Sequence, residues 1–388
     1  MSSTDAEVAV VGLGSMGSQA LWQVARRGVS AIGVEQFAPG HDRGSGHGES
    51  RIIRSCYQEG PQYVPLIQAA FPLWRELERE TDKQLLTENG ALFIGRADSG
   101  YVPDAIATAE EYGLPYELLD ASEASRRFPQ HRLTASEVAF LDQRAGFLRP
   151  EAAARAAVGR AERLGARVVT AARVEAIEEQ GNRVEIRTAA GAFHADQAIV
   201  AVGAWTENML PQLGLPLWVE RQVMFWFRAR RPEEFVPERF PVFIREYGQD
   251  RTWYGLPTWY GVPTLDGETV KAAIHHEGPQ GDPDHLDREI HPADATPVSE
   301  LVAANLPGLD PVPVRAKTCM YTNTPDGHFL LGRPPGLERV VLLGPMAGHG
   351  FKFATAVGRI GADLAVDGST ELPIEPFSPA RFQPSAAH

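Results

Sequence analysis

The chain has 388 residues, 43% hydrophobic and 22% charged, with a formal net charge of -13. That size and apolar content suit two domains or one large α/β unit with an ample core, while the negative balance argues against nonspecific nucleic-acid binding. No run of about 18 apolar residues occurs and the N-terminus Met1-Ser2-Ser3-Thr4-Asp5-Ala6-Glu7 has no basic region, so neither a membrane span nor a secretory signal is expected.

In chain order, Val8 to Val11 reads as a buried parallel strand. Gly12-Leu13-Gly14-Ser15-Met16-Gly17 and a helical pattern through Val24 follow, with Gly28 as its C-cap. A second strand, Ala31 to Val34, ends at Glu35. This is a βαβ opening with the acid at dinucleotide spacing. Gly12 permits the tight turn, Gly14 lets backbone approach a pyrophosphate, and Gly17 lets helix pack on strand. The helix N-terminus receives the phosphates, and Glu35 accepts from ribose hydroxyls. FAD and NAD are not distinguished by these residues.

Helical patterning resumes from Leu66 to Glu80, a strand is expected from Gly90 to Gly95, and a helix from Pro103 to Tyr112. An alanine-rich helix spans Glu151 to Leu164. Strands are expected at Arg167 to Thr170, Arg173 to Glu178, Val184 to Thr188, Gly191 to His194 and Gln197 to Val202, ending at Gly203-Ala204-Trp205. Further strands are expected at Leu217 to Phe227, near Trp253-Tyr254-Gly255 and at Val270 to Ile274. Pro307 to Val314 reads as a loop, Val340 to Leu343 as a late strand and Phe351 to Val366 as the last helix.

Two glycine-rich loops carry cations. In Gly44-Ser45-Gly46-His47-Gly48-Glu49-Ser50-Arg51-Ile52-Ile53-Arg54, one helical turn would put Arg51 and Arg54 on one side. Guanidinium groups bind carboxylates bidentately. Gly348-His349-Gly350-Phe351-Lys352-Phe353 sets Lys352 between aromatic residues. Both loops follow presumed parallel strands, where α/β sheets bind ligands. Lys271 and His275 share one face of a strand by period two. Lys271 is either an edge-strand lysine or a cation beside a reacting oxygen. The chain has 2 cysteines, which fits a reducing, cytoplasmic setting. Cys319 is then either a small buried hydrophobe or a covalent tether for a redox cofactor.

The chain resembles the family of monomeric sarcosine oxidase and N-methyltryptophan oxidase, within the glycine-oxidase and D-amino-acid-oxidase group of flavoproteins. The resemblance runs nearly end to end. It rests on the Gly12-to-Gly17 fingerprint, His47-to-Arg54, Tyr63-Val64-Pro65, Gly203-Ala204-Trp205, Tyr254-Gly255, the Lys271 strand, Cys319-Met320-Tyr321-Thr322 and Gly348-to-Phe353. It implies an FAD joined through its 8α carbon to Cys319 as a thioether. Arg54 and Lys352 would clamp the substrate carboxylate and Arg51 would lie beside the flavin ring. Lys271 would activate oxygen, and His47 would lie beside the isoalloxazine. His275, Tyr254, Tyr321 and His349 would surround the substrate amine. FAD contacts are expected from Gly12, Gly14, Ser15, Met16, Gly17, Glu35, Ser45, Arg51, Val174, Gly203, Trp205, Gly348, Gly350 and Lys352. The chain departs from the family pattern at Gly46, where a second His is usual, at Glu49-Ser50 in place of Asp-Thr, and at Pro345-Met346 beside the pocket.

The expected fold class is α/β: a Rossmann-like FAD-binding domain from 1-86, 145-215 and 320-388, and a discontinuous α+β substrate domain on a mixed sheet from 87-144 and 216-319. The expected activity is oxidation of N-methyl or other secondary α-amino acids by oxygen, sarcosine foremost. A cyclic imino acid, a bulkier N-methyl amino acid, or a dehydrogenase using another acceptor are the alternatives. Pocket walls are expected from Gln222 to Tyr260. No metal, nucleic-acid or membrane partner is expected, and the family points to a monomer.

Overall fold

Ala6–Val11 lies inside an eight-stranded mixed sheet, with Ala31–Val34 parallel on one side and Gly191–Val200 parallel on the other. The computed structural model describes residues 4–57, 59–98, 100–248 and 252–382. Residues 1–3 of the N-terminal segment and 249–251 of the expected pocket wall therefore lie outside the described residues. Strand alternation splits the first strand between two cores. Val8 and Val10 join the core under helix Ser15–Ala25, while Ala9 and Val11 join the core on the opposite face. This double burial explains the near-continuous apolar run.

The turn after this strand requires its glycines. Gly12 has φ +84°, and a Cβ there would stand 2.7 Å from the Ala201 carbonyl oxygen. A Cβ on Gly17 would stand 1.7 Å from the Gly12 carbonyl oxygen. Strand, turn and helix can meet this closely only without those side chains.

Gly191–Val200 is one strand where two were expected. Its first half pairs antiparallel with Arg183–Thr188, and its second half lies between Ala6–Val11 and Val340–Leu343. Asp196 stands there without a Gly or Pro beside it, and alone it does not interrupt the strand. Arg167–Val169 closes the far edge beside Ala31–Val34.

A nine-stranded sheet forms the other half of the molecule. Its longest pairing joins Trp218–Ala229 to Leu309–Asn323, antiparallel. The loop expected at 307–314 is thus largely the start of a strand. Pro311 and Pro313 are tolerated because this strand pairs on one side only and its first half is largely exposed. The strand expected near Trp253 is instead a tight turn, held by an isolated bridge between Thr252 and Gly255. Thr269–His275 and Thr258–Val262 lie within this sheet.

A small third sheet joins Arg51–Ile53, Gly146–Leu148 and Leu86–Glu88. The helical turn expected between Arg51 and Arg54 is therefore extended chain. The last segment is helical throughout, as expected: a tight turn at Phe351–Phe353 runs directly into helix Ala354–Ala362 and then into a wider helical turn at Asp363–Asp367. Among the described residues no helix is long and apolar enough to cross a membrane.

Candidate active site

A long cavity extends from the first glycine loop to both cation loops. Gly12, Gly14, Ser15, Met16 and Glu35 line one part, with Val174, Gly203 and Trp205 across from them in sequence. Ser45, Arg51, Arg54, His275, Tyr321, Gly348, His349, Gly350 and Lys352 line the rest. The nucleotide-side chemistry suits a dinucleotide. Gly14 caps helix Ser15–Ala25 without any side-chain hydrogen bond, and a Cβ built on it would meet nothing within 4 Å. The helix N-terminus is thus open to a phosphate. Glu35 braces the loop by accepting from Leu13 N at 2.7 Å and Phe37 N at 2.9 Å. Its remaining lone pairs suit ribose hydroxyls.

At the other part, buried cations gather. Arg54 ion-pairs with Glu59, and the side chains are 4% and 8% exposed. Its second arm donates to the Cys56 carbonyl at 3.2 Å. Burial works against the charge on Arg54, but Glu59 holds its pKa well above the usual value. Burial likewise works to raise Glu59, yet Arg54, His349 and Lys352 bring it down to about 2. Lys352 Nζ donates to the His349 carbonyl at 2.6 Å. Burial, then Arg54, pushes its pKa well below the usual lysine value.

The aromatic wall is polar where it faces the cavity. His275 Nδ1 lies 3.2 Å from the Tyr321 hydroxyl, and burial, then His276, pushes the His275 pKa well down. His349 Nε2 faces the Gly327 carbonyl at 3.2 Å, and burial lowers its pKa to about 3. That direction favours the neutral imidazole near neutral pH.

Five expected site residues stand behind the wall rather than on it. Gly17 lies under the glycine loop, for the steric reason given above. Cys319 is 2% exposed, with its sulfur 3.6 Å from Arg51 Nη2 and 3.8 Å from the Ser45 carbonyl oxygen. Arg51 and Ser45 both line the cavity, so the sulfur is one side chain deep. Tyr254 reaches Glu59 with its hydroxyl at 3.4 Å. His47 is buried with neither ring nitrogen hydrogen-bonded among the described residues, and burial lowers its pKa to about 3. Lys271 is 2% exposed and donates to the Gly48 carbonyl at 2.9 Å, the Ser50 carbonyl at 2.7 Å and the Ser50 hydroxyl at 3.0 Å. Burial, then Arg51, pushes its pKa well below the usual value.

Sequence reasoning missed Glu59, and also Tyr101, Ile244, Thr258 and Tyr260 on the cavity wall. The 222–260 stretch contains three of these, so its general place was legible. Glu59 carries no motif; only its position five residues after Arg54 could have signalled a pair. Pro345 and Met346 do line the cavity, as their place beside the pocket suggested.

Residues 7–364 match the family model described as DAO, FAD dependent oxidoreductase. The chain is similar to monomeric sarcosine oxidase of Streptomyces avermitilis, 38% identical over 98% of this chain and 99% of that protein. It is similar to N-methyl-L-tryptophan oxidase of Escherichia coli O157:H7, 32% identical over 97% of this chain and 99% of that protein. Among solved structures it resembles NikD, an unusual amino acid oxidase essential for nikkomycin biosynthesis, in its open form. The TM-score is 0.85 at 28% identity, covering 96% of this chain and 97% of that one.

Proposed function

The chain belongs to the DAO family of FAD-dependent oxidoreductases, and from that premise we propose that it is an oxidase of N-methyl α-amino acids, sarcosine foremost. The net reaction converts sarcosine, dioxygen and water into glycine, formaldehyde and hydrogen peroxide. One observation carries the reading: two buried cationic side chains, Arg54 and Lys352, line the same cavity, and Arg54 already holds a carboxylate there, that of Glu59. A site that holds Glu59 this way has the charge and donors for an amino-acid carboxylate.

FAD, when bound, supplies the acceptor for the hydride equivalent from the N-methyl carbon and the electron donor to dioxygen. The Gly12-to-Gly17 loop and Glu35 would hold its nucleotide part. Cys319 would tether it covalently, since the sulfur lies behind Arg51 and Ser45 at the cavity.

The chain's own groups do the rest. Arg54 and Lys352 fix the carboxylate, and orientation of the amine follows from that anchor. The amine must be neutral to release a hydride equivalent. Cations at one end of the site disfavour a second positive charge on the bound amine and so lower its pKa. His275 and Tyr321 form the polar wall available to its nitrogen. Lys271, joined to Arg51 through the Ser50 carbonyl, would give cationic support to oxygen reduction. We include in this proposal the two-domain partition, a monomeric state and a cytoplasmic setting.

A peroxide assay across sarcosine, N-methylalanine, N-methyltryptophan, proline and pipecolate tests the reading. Fastest turnover, as kcat/KM, is expected with an N-methyl amino acid. Peroxide from proline or pipecolate alone would assign a cyclic imino acid instead, and flavin reduction without peroxide would assign a dehydrogenase.

A further inference from the structure

Lys271 does not line the cavity that would take the amino acid. It lines a separate crevice with Glu49, Ser50, Trp226, Leu265 and Asp266. The crevice is too narrow to hold a water molecule. Its rim reaches solvent, however, since the Glu49 and Asp266 side chains are 39% and 43% exposed. Its floor is Lys271, 2% exposed.

One peptide group links crevice and cavity. The Ser50 carbonyl oxygen accepts from Lys271 Nζ at 2.7 Å on the crevice side and from Arg51 Nη1 at 2.8 Å on the cavity side. The rim carries a latch. Arg315 ion-pairs with Glu49 at 2.5 Å and 3.0 Å and lies over the Trp226 ring at 4.2 Å. Trp226 Nε1 donates to the same carboxylate at 3.1 Å.

We propose that this crevice is the path by which dioxygen reaches Lys271 and hydrogen peroxide leaves, with the Arg315–Glu49–Trp226 contact as its gate. The proposal rests on the reading of Lys271 as the oxygen-side residue. Dioxygen takes two electrons and two protons from the dihydroflavin, which returns to its oxidised form, and departs as hydrogen peroxide. Dioxygen and peroxide are no smaller than the water that the closed crevice excludes, so passage requires the latch to open and Trp226 and Leu265 to move aside. The latch is solvent-exposed, and ion pairs of that kind are weak enough to open readily. A second path also frees oxygen entry from product occupying the main cavity.

The test reduces the flavin-loaded enzyme anaerobically with sarcosine, then mixes it with dioxygen and follows flavin absorbance. Leu265→Trp narrows the crevice and is expected to slow reoxidation about fivefold or more. Arg315→Ala removes the latch and is expected to speed it about twofold or more. Anaerobic reduction by sarcosine should stay within about twofold in both. Either response, with reduction preserved, supports the path. If neither variant shifts reoxidation while Lys271→Met slows it about tenfold or more, the path is overturned and the reading of Lys271 stands. If Lys271→Met leaves reoxidation unchanged, that reading falls and the path with it. Equal slowing of both half-reactions in Leu265→Trp is a general perturbation and overturns the path unless Arg315→Ala speeds reoxidation alone. Should Leu265→Trp fail to retain flavin, Arg315→Ala decides: no change overturns the path.

Discussion

Glu59 holds Arg54 in a buried ion pair on the cavity wall, and one Glu59 oxygen has no hydrogen-bond partner among the described residues. A substrate carboxylate bound at Arg54, as proposed, would compete with Glu59 for the guanidinium. Glu59→Gln removes the competing charge, so inert carboxylates such as acetate should bind about threefold to tenfold tighter. Arg54→Gln should raise KM for sarcosine about 100-fold, because it strips the bidentate donor from a buried carboxylate. Flavin spectral titration measures the first and steady-state kinetics the second. Weaker acetate binding in Glu59→Gln would show that Glu59 organises the clamp instead of occupying it.

Lys352 should take up a proton when a carboxylate binds. Burial and Arg54 depress its pKa in the free site, and an added anion favours the ammonium. Between the depressed pKa of the free site and the higher pKa of the anion-bound site, acetate affinity should therefore fall about tenfold per pH unit as pH rises. Lys352→Met should bind weakly with no such slope. A flat profile in the parent protein would remove Lys352 as the titrating group.

The two cysteines should behave oppositely. Cys56 is buried beside Asp142, and burial first, then that carboxylate, pushes its thiol up to about 12. It stays protonated and a poor nucleophile. Cys56→Ser should keep a flavin that survives acid precipitation, whereas Cys319→Ser should release it. Acid-stable colour in Cys319→Ser would rule out the tether.

Gly14→Ala and Gly17→Ala should separate cofactor binding from folding. The first adds a methyl to open cavity and should lose flavin affinity while unfolding in urea like the parent. The second drives a methyl to within 1.7 Å of the Gly12 carbonyl oxygen and should cost about 3 kcal/mol or more. Equal unfolding curves for both variants would contradict the turn geometry.

Buried histidines should weaken the fold in acid. His131 is lowered from 6.5 to about 3, by burial first and then Arg245. It packs against Phe240 at 5.1 Å, and neither ring nitrogen has a hydrogen-bond partner among the described residues. The unfolded chain binds that proton below pH 6.5 and the folded chain does not, so stability falls as pH drops from 6.5 towards 3. The slope is up to about 1.4 kcal/mol per pH unit for each such group. Urea unfolding at several pH values should show a shallower slope in His131→Phe than in the parent. An unchanged slope would mean that His131 protonates within the fold.

The dinucleotide end was legible because its determinants are local. Gly12, Gly14, Gly17 and Glu35 act through one turn and two short strands, and steric demand on a turn is written into neighbouring residues. The cation loops were legible for a similar reason, since Arg54 and Lys352 follow glycine-rich turns at strand ends. Strand breaks were less so. Pro311 and Pro313 read as loop until the sheet shows an edge strand pairing on one side only.

What no stretch of sequence carries is who faces whom across long separations. Glu59 meets Arg54 because of a loop fold rather than a motif. Cys319 comes within 3.6 Å of Arg51 although 268 positions separate them. Lys271 shares a strand with His275, yet it turns to the Ser50 carbonyl and a separate crevice, while His275 faces the cavity. Residue types and local spacing mark which groups are candidates to hold a dinucleotide and an anion. Packing of the two large sheets settles which surface each group meets, because those contacts join segments that chain order leaves far apart.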